Sequence, residues 1–169
     1  MFIAMLQHTP AWVWGLFVAL AALGLAQARP REMSLPRVTI LPLAMLALSL
    51  SGVFQSFGHF PVALGGWAAG VGAALAFARG RIDARGAEWR AARGTLFVPG
   101  SWLPLVLIVG LFALKYAAGV TLALEPARAA DPLFAGVCSL AYGSFSGLFL
   151  ARGLALRRIA ALRPPFAAA

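Results

Sequence analysis

LPLVLIVGLFALKYAAGVTLAL, residues 103–124, is uncharged except at Lys115, which Tyr116 follows. A helix rises 1.5 Å per residue, so Lys115 lies about 18 Å along the axis from Leu103 and about 14 Å from Leu124. A hydrocarbon core of about 30 Å takes about 20 helical residues to cross. The stretch therefore reads as a membrane span with one charge near the bilayer centre.

Outward from it, four more apolar segments have the same character. The expected spans lie near 10–28, 38–57, 61–78, 101–123 and 132–154. Composition agrees: 62% of the 169 residues are hydrophobic and 11% charged, against about 25% charged in soluble domains. Such a chain could not cover a water-facing surface. The expectation is an all-α integral membrane bundle of five helices forming a single membrane domain, residues 1–169.

Helix-entry chemistry supports several starts. Thr9-Pro10 and Asp131-Pro132 each set a capping residue before a proline at the first helical position. Ser101 can cap the fourth span, with Pro104 in its first turn, and Pro61 opens the third. Pro42 either kinks the second span or marks its true start. Ala26-Gln27-Ala28 resembles a signal-peptidase site. However, residues 1–9 hold no Lys or Arg, and Arg29 and Arg31 follow the apolar run, so the segment reads as a retained helix.

The charges set the topology. Arg29, Arg31 and Arg37 fall in the 29–37 loop, and Arg79, Arg81, Arg85, Arg90 and Arg93 in the 79–100 loop. Arg152, Arg157, Arg158 and Arg163 follow at the C-terminal end. These twelve of the fourteen basic residues share one side, and only Arg128 among the loop cations lies on the other. By the positive-inside rule the basic side is cytoplasmic, so the N-terminus is periplasmic and the C-terminus cytoplasmic in a bacterial inner membrane. This bias also accounts for the net charge of +9 and isoelectric point near 11.7, which in a soluble protein would suggest nucleic acid. No basic–aromatic face outside the bilayer exists to carry nucleic-acid binding. The link at 54–60 is short and implies a tight hairpin of spans two and three. The 79–100 loop reads either as an interfacial helix near 81–92 or as a small hairpin ending in TLFV.

Membrane helices associate through small residues. Ala135, Ser139, Gly143, Gly147 and Ala151 recur every four residues on the fifth span. Gly66, Gly70, Ala74 and Ala78 do so on the third. These faces should meet close neighbours, within the chain or in a homo-oligomer or partner membrane subunit. Trp12, Trp14, Trp67 and Trp102 fall near predicted interfaces, as anchoring aromatics do. The single cysteine, Cys138, excludes an internal disulfide and reads as a small packed hydrophobe.

A charge at the bilayer centre costs about 2.5–3.5 kcal/mol on insertion scales. No Asp or Glu occupies any span, so no carboxylate of the chain can offset Lys115 there. At its depth lie Ser49 and Ser51 on the second span, and Ser139, Tyr142 and Ser144 on the fifth. Three outcomes follow for Lys115: a neutral amine; a cation solvated by hydroxyls, carbonyls and water; or a cation paired with an external anion, lipid headgroup or subunit. Lys115, Tyr116, Tyr142, Ser139, Ser51 and Ser49 are thus the candidate functional residues. His8 and His59, with Gln55 nearby, share the periplasmic side. They form the weaker candidate for a metal or haem ligand pair, with neither a third ligand nor a spacing motif. No nucleophile motif, phosphate loop or paired carboxylate appears. No catalytic residue or obligatory cofactor is therefore expected.

Four segments carry a resemblance. HTPAWVWGLFVAL, ARPREMSLPRVTILPLAMLALSLSG, VPGSWLPLVLIVGLFALKY and SGLFLARGL together resemble an uncharacterised family of small proteobacterial inner-membrane proteins. The likeness covers nearly the whole chain. Its most specific pieces are the Pro99-Gly100-Ser101-Trp102 turn and the Lys115-Tyr116 pair. It implies a bacterial inner-membrane setting and a domain of unknown function, and carries no functional residue over. Two functions stay open: a non-enzymatic accessory or interaction subunit, or a small transporter or channel using Lys115 for an anionic solute or for gating.

Overall fold

The computed structural model describes residues 11–58, 60–79, 81, 86–90 and 93–162. Five helices carry the chain: α1 Ala11–Gln27, α2 Leu35–Phe57, α3 Pro61–Ala78, α4 Leu103–Leu124 and α5 Pro132–Ala161. A 3-10 turn, Pro126–Ala130, joins the last two. Helices α2 to α5 are each long and apolar enough to cross a membrane. The 17 described residues of α1 form a fifth apolar helix, about 25 Å long at 1.5 Å per residue.

The helix ends follow local chemistry. The Asp131 carboxylate accepts from the Leu133 amide at 2.9 Å and caps α5. The Ser101 hydroxyl accepts from the Leu103 amide at 3.3 Å, although Trp102 occupies the cap position of α4. Ser34 precedes α2 in extended backbone, so this helix starts before the expected residue 38. Pro42 is buried inside α2 and marks no start. It lies over Gly153, where a Cβ would come within 2.5 Å of its ring. Helix α5 runs past the expected end at 154. Hydropathy reports where a chain leaves lipid, whereas Leu, Ala and Arg continue a helix equally well in water. The Thr9-Pro10 entry lies outside the described residues.

Packing corrects the expected pairing of spans two and three. Consecutive α2 and α3 touch little, and each makes its most extensive contact with α5. The small-residue faces of α3 and α5 meet each other. A Cβ on Gly66 would fall 2.6 Å from the Gly136 carbonyl, and one on Gly147 would fall 2.7 Å from the Ala74 Cβ. Gly70 abuts the backbone of Leu140 and Ser144, and Gly143 that of Trp67 and Val71. Backbone-to-backbone approach of this kind requires glycine. Val53, Phe57, Ala63, Leu111, Ala118, Ala135, Cys138 and Tyr142 form the principal core.

A three-stranded antiparallel sheet closes one end. Its strands are β1 Arg31–Ser34, β2 Glu88–Arg90 and β3 Thr95–Val98, in the order β1-β3-β2. The expected hairpin ending in TLFV is thus the correct alternative for the 79–100 loop. The 29–37 loop was not expected to supply a strand. Its four residues gain meaning only by pairing with sequence-distant β3, Glu32 opposite Phe97 and Met33 opposite Leu96. Met33, Leu96 and Val98 pack with Val38 of α2 and Leu156 of α5, fixing the sheet to the bundle. On the other face the Glu32 carboxylate accepts from Arg90, Arg93 and the Thr95 hydroxyl. Desolvation pulls this carboxyl upward, but Thr95, Arg93 and Arg90 outweigh it and hold the group below its ordinary value.

Candidate functional site

Lys115 sits on α4 and reaches both α2 and α5. Its ammonium donates a long hydrogen bond, 3.5 Å, to the Leu48 carbonyl of α2. It lies 5.4 Å from the centre of the Tyr142 ring on α5, within cation–π range. Gly52 makes the room: a Cβ there would overlap the ammonium. The lysine therefore links three helices through a carbonyl and a ring.

The hydroxyls expected at its depth do different work. The Ser51 hydroxyl donates to the same Leu48 carbonyl at 2.9 Å, sharing the acceptor that Lys115 uses. Ser49, fully buried, donates to the Tyr142 carbonyl at 3.2 Å and accepts from the Trp67 indole N–H at 3.0 Å. Trp67 thus ties α3 to α2, a bond that its expected anchoring role did not foresee. Ser146 donates to the Tyr142 carbonyl as well, at 3.0 Å. Ser144 donates to its own helix, to the Leu140 carbonyl at 2.9 Å. The Ser139 hydroxyl is buried without a hydrogen-bond partner.

Tyr116 diverges from its neighbour. It stands 6.4 Å from both the Trp14 and Phe112 rings, and Phe17 of α1 lies 4.7 Å from Phe112. Successive helical residues point about 100° apart, so Lys115 joins α4 to α2 while Tyr116 joins it to α1. Gln55 is exposed near the end of α2. His8 and His59 lie outside the described residues. Among the described residues no group of three or more His, Cys, Asp or Glu side chains is placed to hold a metal.

A second polar site occupies the sheet end. A cavity of about 30 Å³ is lined by Gln27 of α1, Arg31 of β1, Arg37 of α2 and Arg152 of α5, with an apolar remainder including Pro42 and Phe149. Among the described residues none that lines it is acidic. Strand alternation explains this: Arg31 and Met33 face the cavity, while Glu32 between them points to the opposite face. Burial, and then the neighbouring Arg37 charge, lower the pKa of the Arg31 guanidinium. Arg152 donates to the Ser101 hydroxyl at 3.0 Å. Gln27 is 7% exposed and its side-chain amide nitrogen has no acceptor. In the sequence these arginines read only as topology signals, and Gln27 only as part of a cleavage-like tripeptide. The signal that could have singled out Arg152 is its place inside the apolar SGLFLARGL run.

The fold and these interior contacts define a polytopic helical membrane protein. More particularly, the chain belongs to the family of unknown function DUF6622, whose model matches residues 1–167. Over 81 residues it is 32% identical to an uncharacterised protein of Pasteurella multocida (strain Pm70). That alignment covers 47% of this chain and 59% of the relative, so the chain spans under two thirds of the relative's length. No solved structure matches it.

Proposed function

We propose that this chain is a non-enzymatic accessory or interaction subunit of the bacterial inner membrane, with its N-terminus periplasmic and its C-terminus cytoplasmic. One observation carries the reading. The polar groups at mid-bundle hold helices to one another: Lys115 of α4 donates to the Leu48 carbonyl of α2, and Ser49 of α2 bridges Trp67 of α3 and the Tyr142 carbonyl of α5. Groups engaged in this way stiffen a bundle and offer a solute little to bind. The orientation rests on the one-sided distribution of arginines.

Flux measurements test it. Liposomes holding the full chain should pass chloride, nitrate and phosphate no faster than protein-free liposomes. A flux that Lys115→Met abolishes would overturn the reading in favour of a transporter or channel. That second reading keeps one observation, the half-buried Lys115 with no carboxylate among its contacts with the described residues. For the partner, photo-crosslinking in cells from exposed Val106 on α4 and Ile40 on α2 should give a discrete adduct with a second protein. Adducts with lipid alone would count against an interaction subunit. The haem or metal alternative at His8 and His59 predicts a coloured or metal-loaded purified protein, and the accessory reading predicts a colourless, metal-free one.

A further inference from the structure

We propose that Gln27, Arg31, Arg37 and Arg152 form a binding site for a phosphate-class anion at the sheet end of the bundle. Three guanidinium groups line one small cavity, and among the described residues no acid joins its walls. Like charges gathered in a half-buried place repel, and that cost persists unless an anion offsets it. Among the described residues, the Glu32 carboxylate next to Arg31 is held on the far face of β1 by Arg90 and Arg93.

Gln27 gives the second, independent indication. Its amide nitrogen is buried, donates to nothing, and belongs to a side chain lining the same cavity. A buried donor without an acceptor bears its full desolvation penalty. A phosphate oxygen would satisfy it and accept from the arginines together, since guanidinium groups match planar, multi-oxygen anions. The cavity of about 30 Å³ exceeds the roughly 10–15 Å³ that one water needs. The cavity draws on α1, α2, α5 and the sheet, so an occupant would clamp these elements together. Arg37 is exposed and stands at the rim, where a ligand would arrive. Basic pockets between membrane helices near the bilayer surface take lipid headgroups, and a free phosphate offers the same oxygens.

The test uses the full chain in phosphatidylcholine nanodiscs, titrated with inorganic phosphate or with a short-chain phosphatidylglycerol. Binding is read by thermal shift and by native mass spectrometry. One saturable site is expected. Arg31→Gln and Arg152→Gln should each weaken it at least about tenfold, since each removes a charge-assisted hydrogen bond. Arg37→Gln should weaken it several-fold with folding intact, because Arg37 is exposed. Arg157→Gln, exposed and outside the cavity, should leave it unchanged. Saturation by phosphate with this pattern identifies a free anion, and saturation by phosphatidylglycerol alone identifies a lipid headgroup. Should Arg152→Gln fail to fold, Gln27→Glu decides, because a carboxylate in the cavity should abolish binding and raise the melting temperature in anion-free nanodiscs. No saturable binding of either probe, an equal loss in Arg157→Gln, or unchanged binding in Gln27→Glu would overturn the proposal.

Discussion

Lys115 and the arginine cavity are two answers to the same electrostatic problem. At mid-bundle one cation is met by a backbone carbonyl, an aromatic ring and a glycine that leaves it space. At the sheet end three cations line a cavity to which no described residue contributes an acid, beside an amide donor with nothing to accept from it. The first arrangement closes on itself. The second is complete only with a group from outside the chain. A single intramembrane charge attracts attention because of its depth. Whether the fold has already neutralised a charge decides more about its use than depth does.

The largest effect should come from filling the space that Lys115 occupies. Gly52→Leu would drive the ammonium off the Leu48 carbonyl and overpack the α2–α4 gap, costing about 3 kcal/mol. Unfolding in mixed micelles measures this, and wild-type stability would mean that Lys115 does not rest against Gly52. Next in size is Ser49→Ala, which strips the Trp67 indole of its acceptor and should cost about 1–2 kcal/mol. Ser139→Ala, one turn before Tyr142, removes an unpartnered buried hydroxyl and should be neutral or stabilising. Equal losses in the two variants would erase the distinction between engaged and idle hydroxyls.

Lys115→Met should stabilise the bundle by about 1 kcal/mol. The insertion cost of about 2.5–3.5 kcal/mol exceeds a cation–π contact of about 0.5–2 kcal/mol plus one long hydrogen bond. A clear loss of stability in Lys115→Met would show that the lysine's contacts outweigh its desolvation. The smallest effect concerns pH. The Glu32 carboxyl is held below its ordinary value of 4.5, so its contribution to sheet stability is present above that value and lost as pH falls through the lowered one. Wild type and Glu32→Gln should therefore differ at neutral pH and converge in acid. A gap that persists in strong acid would mean that the carboxylate charge does not hold the sheet.

Much of the bundle was legible because hydrophobic length and charge asymmetry are properties of contiguous segments. The five helices fall close to the segments expected, and the four-residue spacing of Gly66 and Gly70, and of Gly143 and Gly147, marked the faces that meet. Their choice of each other was not legible, since spacing carries no identity of the partner. Strand β1 was hidden for a related reason: REMS has no pattern of its own and pairs with residues more than sixty positions away. At the candidate site, Tyr142, expected at the depth of Lys115, lies with its ring 5.4 Å from the ammonium. The Ser49 and Ser51 hydroxyls, expected at the same depth, bond to backbone carbonyls, because side-chain direction depends on helix rotation. Leu48, whose carbonyl takes the ammonium, could not be named from side-chain chemistry at all. Gln27, Arg31, Arg37 and Arg152 are scattered over four elements, and only the fold makes them one site.

The difference between the two sites is most directly tested by aqueous accessibility. In a Cys138→Ala background, single cysteines at 37 and 115 would be labelled with a charged, membrane-impermeant maleimide applied to opened membranes. The expected result is rapid labelling at 37, on the rim of the arginine cavity, and negligible labelling at 115, at mid-bundle. Rapid labelling at 115 would reveal a water-filled path to the mid-bundle charge and contradict its enclosure by groups of the chain itself.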